Sequence, residues 1–377
     1  RYCAALLHAN GLRVGIYASP HLLDWRERIC RPDGFFGDHV YLDAIGKIRK
    51  LVDDLRDNPG WVHGDPTTFE LLTLAAYLIF REAKLDWMVI ETGLGGLLDA
   101  TNLMQPAACL ITALELEHTD ILGDSIEEIA AQKAGIFKQD ARLFAQEPSH
   151  DGERIRPVLE DAARRVGGKL QWIALDEGDP NRAIALAAIQ RLCRDGLIAA
   201  ASQSAEWTVR MEATLDDVRL PGRLEWYENG SVPPVRLLLD VAHTPDSVAR
   251  ALKAFQPSKG DVLLFGSVSG KRHEAMAALL ASHFSSIIVT TPGSFKKSDP
   301  EQVYHVFRQR NPGTVLIADP EMAFREALAS LQKHAGTRLP GNGRLLVCGS
   351  FYLAAAVHGA MESAGFRPVT QASQRRG

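Results

Sequence analysis

The sequence predicts a two-domain α/β protein built on parallel sheets. Continuous apolar, β-prone runs alternate with helical patterns up to about residue 195, and the same alternation restarts near residue 226. Unbroken apolar strands with helices between them indicate parallel strands covered on both faces. Length agrees, because 377 residues exceed one ordinary core and 46% hydrophobic content is enough to fill two.

The chain opens with "RYCAALLHANG", which lacks a signal-peptide pattern and reads as a helix already under way. It begins at Arg1 instead of Met, so truncation at the start is expected. "LRVGIYAS" is the first strand, ending at Ser19; "LDWMVIE" is the next, ending at Glu91; "ACLITALELEH" follows, ending at His118. Between the first two, "TTFELLTLAAYLIFREAK" places Leu71, Leu74, Ala75 and Leu78 on one helical face. In "DSIEEIAAQKAGIFK", Ser125 and Glu128 make an S-x-x-E capping box and Gly135 is a stop, which puts Lys133 in the last turn of a short helix. "DPNRAIALAAIQRLC" reads as another helix, and residues 195 to 222 as connection and domain margin.

After residue 226 the strands are "PVRLLLDVAH", "GDVLLFGSV", "SSIIVTTPG", "GTVLIAD" and "GRLLVCGS", with "DSVARALKAF" and "PEMAFREALASLQKH" as helices among them. The domains are expected at 1–222 and 226–377, the second of ordinary domain size. "QASQRRG" reads as a frayed tail.

A net charge of −4 and a pI near 6.3 provide no global attraction to nucleic acid or an anionic membrane, so small molecules are the expected partners. Five scattered cysteines without a C-x-x-C pair argue against a disulfide framework or zinc knuckle and fit a reducing cytoplasm. No apolar run approaches the roughly 20 residues of a membrane span.

In open α/β sheets ligands sit beyond the carboxyl ends of the strands, which selects Ser19, Glu91 and His118. A hydroxyl, a carboxylate and an imidazole can together hold a divalent cation, and so few protein donors suit Mg²⁺. Each residue alone is also an ordinary cap or hydrogen-bonding group. In "ETGLGGLLDATN", Gly93, Gly95 and Gly96 fail the third glycine of G-x-G-x-x-G. They let the backbone turn sharply, with Asp99 and Asn102 offering polar contacts, so an ordinary loop and a binding loop both remain open. "GSVSGKR" (266–272) is one residue short of a P-loop and ends in Arg, and reads as a strand-to-helix turn with Lys271 near a ligand. In "LLLDVAHTPDSVARAL", Asp240 ends a strand, His243 lies in the turn, and Thr244 and Pro245 suit a helix N-cap and first turn. Asp240 either accepts from ribose hydroxyls or ties down its own turn.

Seven segments, in order, resemble the folylpolyglutamate synthase/dihydrofolate synthase family, relatives of the Mur ligases: "YASPHLLDWRERI", "TTFELLTLAAYLIF", "VIETGLGGLLDATN", "EHTDILGDSIEEIAAQKAGI", "LPGRLEW", "LLLDVAHTP" and "VCGSFYLAAAV". They extend from residue 17 to about 357. The resemblance implies a P-loop-NTPase-like parallel-sheet N-terminal domain, truncated at its start, that binds ATP and folate. It implies a smaller Rossmann-like C-terminal glutamate-ligase domain as well. The implied activity is ATP-dependent ligation of L-glutamate to dihydropteroate, to folylpolyglutamate, or to both, through an acyl phosphate. Such chemistry needs alignment and charge neutralisation more than an acid–base pair.

By position the resemblance assigns metal ligation to Ser19, Glu91 and His118, and a carbamylated lysine at a second magnesium site to Lys133. Pterin-binding segments match Thr67, Thr68, Phe69 and Glu70, and Leu98, Asp99 and Ala100. Nucleotide contacts match Asn181, Arg223 and Asp240, which implies ATP between closing domains. It also implies a cytoplasmic monomer working on small molecules, without nucleic acid or membrane. Leu97 stands where the family has arginine, Thr244 where it has asparagine and Glu117 where it has aspartate. The family's "GTNGKGS" P-loop corresponds to a position just before Arg1, so the 377 residues alone are expected not to turn over ATP. The rival readings are a Mur-type ligase for another acid, separable with UDP-muramoyl substrates, and a non-catalytic folate- or nucleotide-binding homologue.

Overall fold

The structure, a computed structural model, describes residues 1–58, 60–62, 64–174, 179–199, 204–231, 234–335 and 343–369, for 332–335 the backbone alone. The chain divides into two units, Arg1–Val218 and Arg219–Gly377. The division falls a few residues before the expected boundary.

Unit 1 begins with α1 (Tyr2–Ala9), β1 (Val14–Tyr17), β2 (Ile29–Cys30), α2 (Asp38–Arg56), α3 (Thr68–Glu82) and β3 (Trp87–Ile90). It continues with β4 (Ala108–Ile111), α4 (Thr119–Leu122), α5 (Ile126–Ala134), β5 (Arg142–Gln146), α6 (Gly152–Arg165), β6 (Leu170–Ile173), α7 (Pro180–Arg194) and α8 (Ala205–Asp216). Two three-stranded sheets form, in the orders β2-β1-β3 and β4-β5-β6. β1 runs parallel to β3 with Tyr17 opposite Ile90, and the second sheet is parallel throughout. One face of the first sheet meets an apolar cluster of Leu6, Leu7, Ile189, Trp207, Met211 and Leu215 from α1, α7 and α8. The other meets α2 and α3 through Tyr41, Ile48, Ala76, Ile79 and Phe80.

Three expectations are corrected here. Residues 195–222, read as connection, contain α8, whose Trp207, Met211 and Leu215 recur at helical spacing and are buried. Ser204 caps it by accepting the Trp207 N–H at 3.2 Å, and the Trp207 indole donates to Asn10 at 2.9 Å. β4 stops at Ile111 instead of reaching His118, because β5 pairs with it only from Ala108 to Ile111. The short strands β5 and β6 were not expected.

Unit 2 contains β7 (Glu225–Glu228), β8 (Arg236–Leu239), α9 (Pro245–Phe255), β9 (Val262–Phe265), α10 (His273–Leu280), β10 (Ser286–Val289) and α11 (Pro300–Arg310). It ends with β11 (Thr314–Leu316), α12 (Pro320–Ala335), β12 (Leu345–Cys348), α13 (Phe351–Ser363) and β13 (Arg367–Pro368). A single seven-stranded sheet results, in the order β11-β10-β9-β12-β8-β7-β13. The five strands read from sequence are its parallel members, and β7 and β13 add an antiparallel edge. β9 and β12 are buried at every position, and Phe255, Phe265, Phe284 and Phe307 share one core with them. The segment "QASQRRG" lies outside the described residues. No described helix is long and apolar enough to cross a membrane.

Candidate active site

β1 and β3 end side by side, and the ladder continues one step through the Glu91 N–H to the Tyr17 carbonyl at 2.8 Å. Just beyond, the Ser19 N–H donates to the Glu91 Oε2 at 3.0 Å. Ser19 and Glu91 therefore meet at the carboxyl end of a parallel pair, where the sequence placed them.

Lys133 comes to the same place on α5. That helix starts with the expected box: the Ser125 Oγ accepts the Glu128 N–H at 3.3 Å, and the Glu128 carboxylate accepts the Ser125 N–H at 3.0 Å. Burial lowers the Lys133 pKa from the ordinary lysine value, while the Glu117 and Glu91 carboxylates pull it upward. His118 is different. It is exposed, holds a left-handed backbone (φ 53°) as the residue before α4, and lies beyond a loop instead of at a strand end.

Among the described residues no three His, Cys, Asp or Glu side chains converge at metal-ligand spacing. The donors present, Ser19 and Glu91 with Lys133 beside them, fit a cation that keeps waters and shares phosphate oxygens, which is the habit of Mg²⁺.

The glycine loop braces this corner. A Cβ on Gly96 would lie 2.8 Å from the carbonyl oxygens of both Gln132 and Lys133, so only glycine lets the loop approach the end of α5 this closely. The Leu97 N–H donates to the Gln132 carbonyl at 2.9 Å. The Asn102 amide donates to Leu97 at 3.0 Å and Gly135 at 3.1 Å. Asp99 accepts the N–H groups of Gly93 (3.1 Å), Leu94 (2.9 Å) and Thr101 (3.0 Å) and the Thr101 hydroxyl at 2.6 Å. Asp99 and Asn102 thus shape the loop, whereas Leu98 stands 89% exposed.

Thr67 to Glu70 open α3 as a capping box that sequence reading did not recognise, although T-x-x-E was its signal. The Glu70 carboxylate accepts the Thr67 N–H at 2.7 Å, and the Thr67 hydroxyl accepts the Glu70 N–H at 3.2 Å. Thr67, Thr68 and Glu70 are exposed, and half-buried Phe69 lies against Gly93, where a Cβ would come within 2.3 Å of its ring. The two expected substrate segments are therefore neighbours.

Asn181 sits at the start of α7, where Asp179 accepts its N–H at 2.9 Å and Pro180 occupies the first turn. Its Oδ1 accepts from the Gln146 amide at 2.9 Å. Sequence reasoning missed Gln146, the buried polar residue that closes β5, whose Oε1 has no partner. A cleft of about 950 Å³ lined by Arg142, Lys169 and Arg191 lies at the opposite end of β5.

In unit 2 the segment "LPGRLE" is a turn: the Arg223 N–H reaches the Leu220 carbonyl at 2.9 Å around Pro221 and Gly222, and Gly222 has a φ of 67°. Asp240 is 5% exposed and accepts the Leu224 N–H at 2.8 Å and the Ala242 N–H at 2.7 Å. Burial raises its pKa, against the effects of the Leu224 N–H and Arg223. Of the two sequence readings of Asp240, the turn-tying one is visible. Arg223 is exposed, with its guanidinium 5.1 Å from the Phe351 ring centre. The His243 ring lies 6.4 Å from that phenyl ring, and its Nδ1 bonds the Val241 carbonyl at 2.9 Å. "GSVSGKR" connects β9 to α10 as a strand-to-helix turn, with the His273 ring against Ser267 (3.2 Å) and the Val268 carbonyl (3.1 Å).

Residues 222–351 match the Mur ligase glutamate ligase domain. The mitochondrial folylpolyglutamate synthase of Bos taurus is 30% identical over 321 residues, which are 73% of this chain and 54% of that protein. The chain thus spans about half the length of such curated relatives. The folylpolyglutamate synthase of Mycobacterium tuberculosis, solved with ADP and AMPPCP, superposes with a TM-score of 0.82 at 24% identity, covering 98% of this chain and 88% of that one. The bifunctional folylpolyglutamate synthase/dihydrofolate synthase of Yersinia pestis, solved with AMPPNP and a Mn ion, superposes with a TM-score of 0.74 at 25% identity, covering 96% and 85%. The chain thus has the α/β fold of these solved structures, matches the Mur ligase glutamate ligase domain over residues 222–351, and is similar in sequence to folylpolyglutamate synthases.

Proposed function

We propose that this chain carries out ATP-dependent ligation of L-glutamate to dihydropteroate, to a folylpolyglutamate, or to both. The observation that carries the reading is the meeting of Ser19 and Glu91 at the carboxyl ends of β1 and β3, with half-buried Lys133 in the field of the Glu91 carboxylate. The nucleotide and Mn ion bound by the Yersinia protein, and the ADP bound by the Mycobacterium protein, support ATP with a divalent cation here.

Ser19, Glu91 and His118 hold magnesium, and carbamylated Lys133 serves a second magnesium site. When bound, the metal supplies charge neutralisation for the phosphates. The remaining work is positional. Thr67 to Glu70 and Leu98 to Ala100 line the pterin end of the acid substrate, with Phe69 and the fastened glycine loop holding that wall in place. Asn181 and Arg223 contact the nucleotide, the first from a helix N-terminus whose amides favour anions. The protein works as a monomer in the cytoplasm.

The test is phosphate release with ATP, glutamate and either dihydropteroate or a reduced folate. Since the 377 residues hold no G-x-x-x-x-G-K-[ST], it is run on this chain and on one extended by adding such a segment ahead of Arg1. Glutamate-dependent release by the extended chain supports the ligase. Release with UDP-muramoyl acids alone would reassign the acid, and no release with any of them would sink the reading.

A further inference from the structure

We infer that the cleft at the amino ends of β5 and β6 is a second binding site, for an elongated polyanion, separate from the ligation corner at the carboxyl ends of β1 and β3. The inference goes beyond the ligase reading and does not depend on it. The cleft measures about 950 Å³. That is near the upper size of ordinary small-molecule sites and more than a single phosphate fills. β5 begins at Arg142, β6 begins just after Lys169, and α6 and α7 bring Arg165 and Arg191 here in their last turns. Helix C-termini favour positive side chains, which gathers cations at this end of the unit.

Carboxylates do not match those cations one for one. Asp195 serves two guanidiniums: its Oδ2 accepts the Arg142 Nε at 2.7 Å, and both its oxygens lie 3.0 Å from the Arg191 Nε. The two arginines hold its carboxyl below the usual carboxylate range. Arg142 also places Nη1 on the Asp140 carbonyl at 3.0 Å, and Arg165 is paired along α6 with Asp161 at 2.6 Å. Among the described residues the Nη groups of Arg191 make no hydrogen bond, and the exposed Lys169 ammonium makes neither hydrogen bond nor ion pair. One carboxylate thus fixes two guanidiniums and leaves donors over, in a chain whose net charge is −4. Guanidinium donors held in this way suit phosphate or carboxylate oxygens. Because the cations stand on β5, on the turn before β6 and on α7, negative charges spaced along a chain fit them better than one compact anion. An oligophosphate and a run of γ-linked carboxylates share that chemistry. The exposed Asp140 carboxylate lines the cleft too and opposes such a ligand.

Amide-shift titration of the full chain with tripolyphosphate and with tri-γ-glutamate tests this at Gly167 and Gly168, which line the cleft. Saturable shifts at both glycines with either probe support the site, and the probe that acts tells a phosphate source from a carboxylate one. Lys169→Glu should weaken binding roughly fivefold, and Asp140→Asn should tighten it roughly twofold. The gain is the sharper result, because a misfolded variant does not produce it and asparagine accepts the left-handed φ of 66° at that position. Lys253→Glu makes the same charge change on α9 in unit 2 and should alter nothing. Absence of shifts at the two glycines with millimolar probe overturns the inference, as does unchanged affinity in either cleft variant. Equal weakening by Lys253→Glu overturns it by reducing the effect to net charge. Sulfate acting as strongly as tripolyphosphate does so by showing an adventitious ion only.

Discussion

The parallel strands of the two units are similarly apolar in sequence yet differ in burial. β9 (VLLF) and β12 (LLVC) are buried at every position, whereas β3 (WMVI) and β6 (LQWI) are half-exposed throughout. The cause is pairing. β9 lies between β10 and β12, and β12 between β9 and β8, while among the described residues β3 pairs only with β1 and β6 only with β5. Apolar content nominates a strand, but the number of its partners decides how much water it loses. Unit 2 presents its turns from a closed platform. Unit 1 holds Glu91 and Lys133 in place by loop and helix contacts, notably those of Asp99 and Asn102.

The largest expected effect separates the two sheets directly. Phe265→Ala empties a fully buried site against Phe307 and should cost about 3–5 kcal/mol. Val89→Ala on half-exposed β3 should cost about 1 kcal/mol. Equal shifts in urea midpoints would break the comparison. Next, Lys133→Ala in the extended chain should lower turnover about a hundredfold or more, with partial return on adding short carboxylates. Undiminished turnover would remove Lys133 from the site.

Gly96→Ala should cost about 1–3 kcal/mol, since its Cβ meets two backbone carbonyls, and Gly230→Ala, which meets nothing, is the control. Matching melting temperatures for the two would mean that the loop does not rest on α5. Removing a cap by Thr67→Ala or Thr244→Ala should cost about 1 kcal/mol. The buried Thr244 should cost more than the exposed Thr67, and the reverse order would show that cap energy does not follow burial here.

The smallest effect concerns acid. Asp86 ties the amino ends of β1 and β3 through Arg13, which holds its carboxyl down at about 2. A depressed carboxyl contributes stability that is complete above its unfolded value of 3.8 and is lost as pH falls towards about 2. Arg13→Ala should therefore lower the stability of unit 1 slightly at neutral pH, as befits an exposed pair, with the deficit shrinking as pH falls towards about 2. A deficit that stays the same in acid, or none at neutral pH, would show that the pair does not brace the sheet.

Much of the fold could be read beforehand where local signals were complete. The Ser125–Glu128 box, the Thr244–Pro245 helix start and the five parallel strands of unit 2 each follow from a few adjacent residues. β5 and β6 were not legible, since RLFAQ and LQWI are short and interrupted by polar residues, and only their parallel neighbours make them strands. α8 was hidden by its polar face, although Trp207, Met211 and Leu215 kept the helical period. At the site, the residue types Ser19, Glu91 and Lys133 were legible. Gln146 was not, because its significance lies in a partner 35 positions away.

By itself the sequence determined the α/β class, the ordered family motifs, and the chemical groups standing near the strand ends. Tertiary structure alone decided what those groups hold in their own surroundings. Asp99 and Asp240 look like ligands in sequence, and the fold also makes each of them accept backbone amides, those of Gly93 and Leu94 for one and of Leu224 and Ala242 for the other. The physical reason is that a carboxylate's role depends on which donors the fold brings within about 3 Å, and those donors belong to residues whose positions local propensity does not specify.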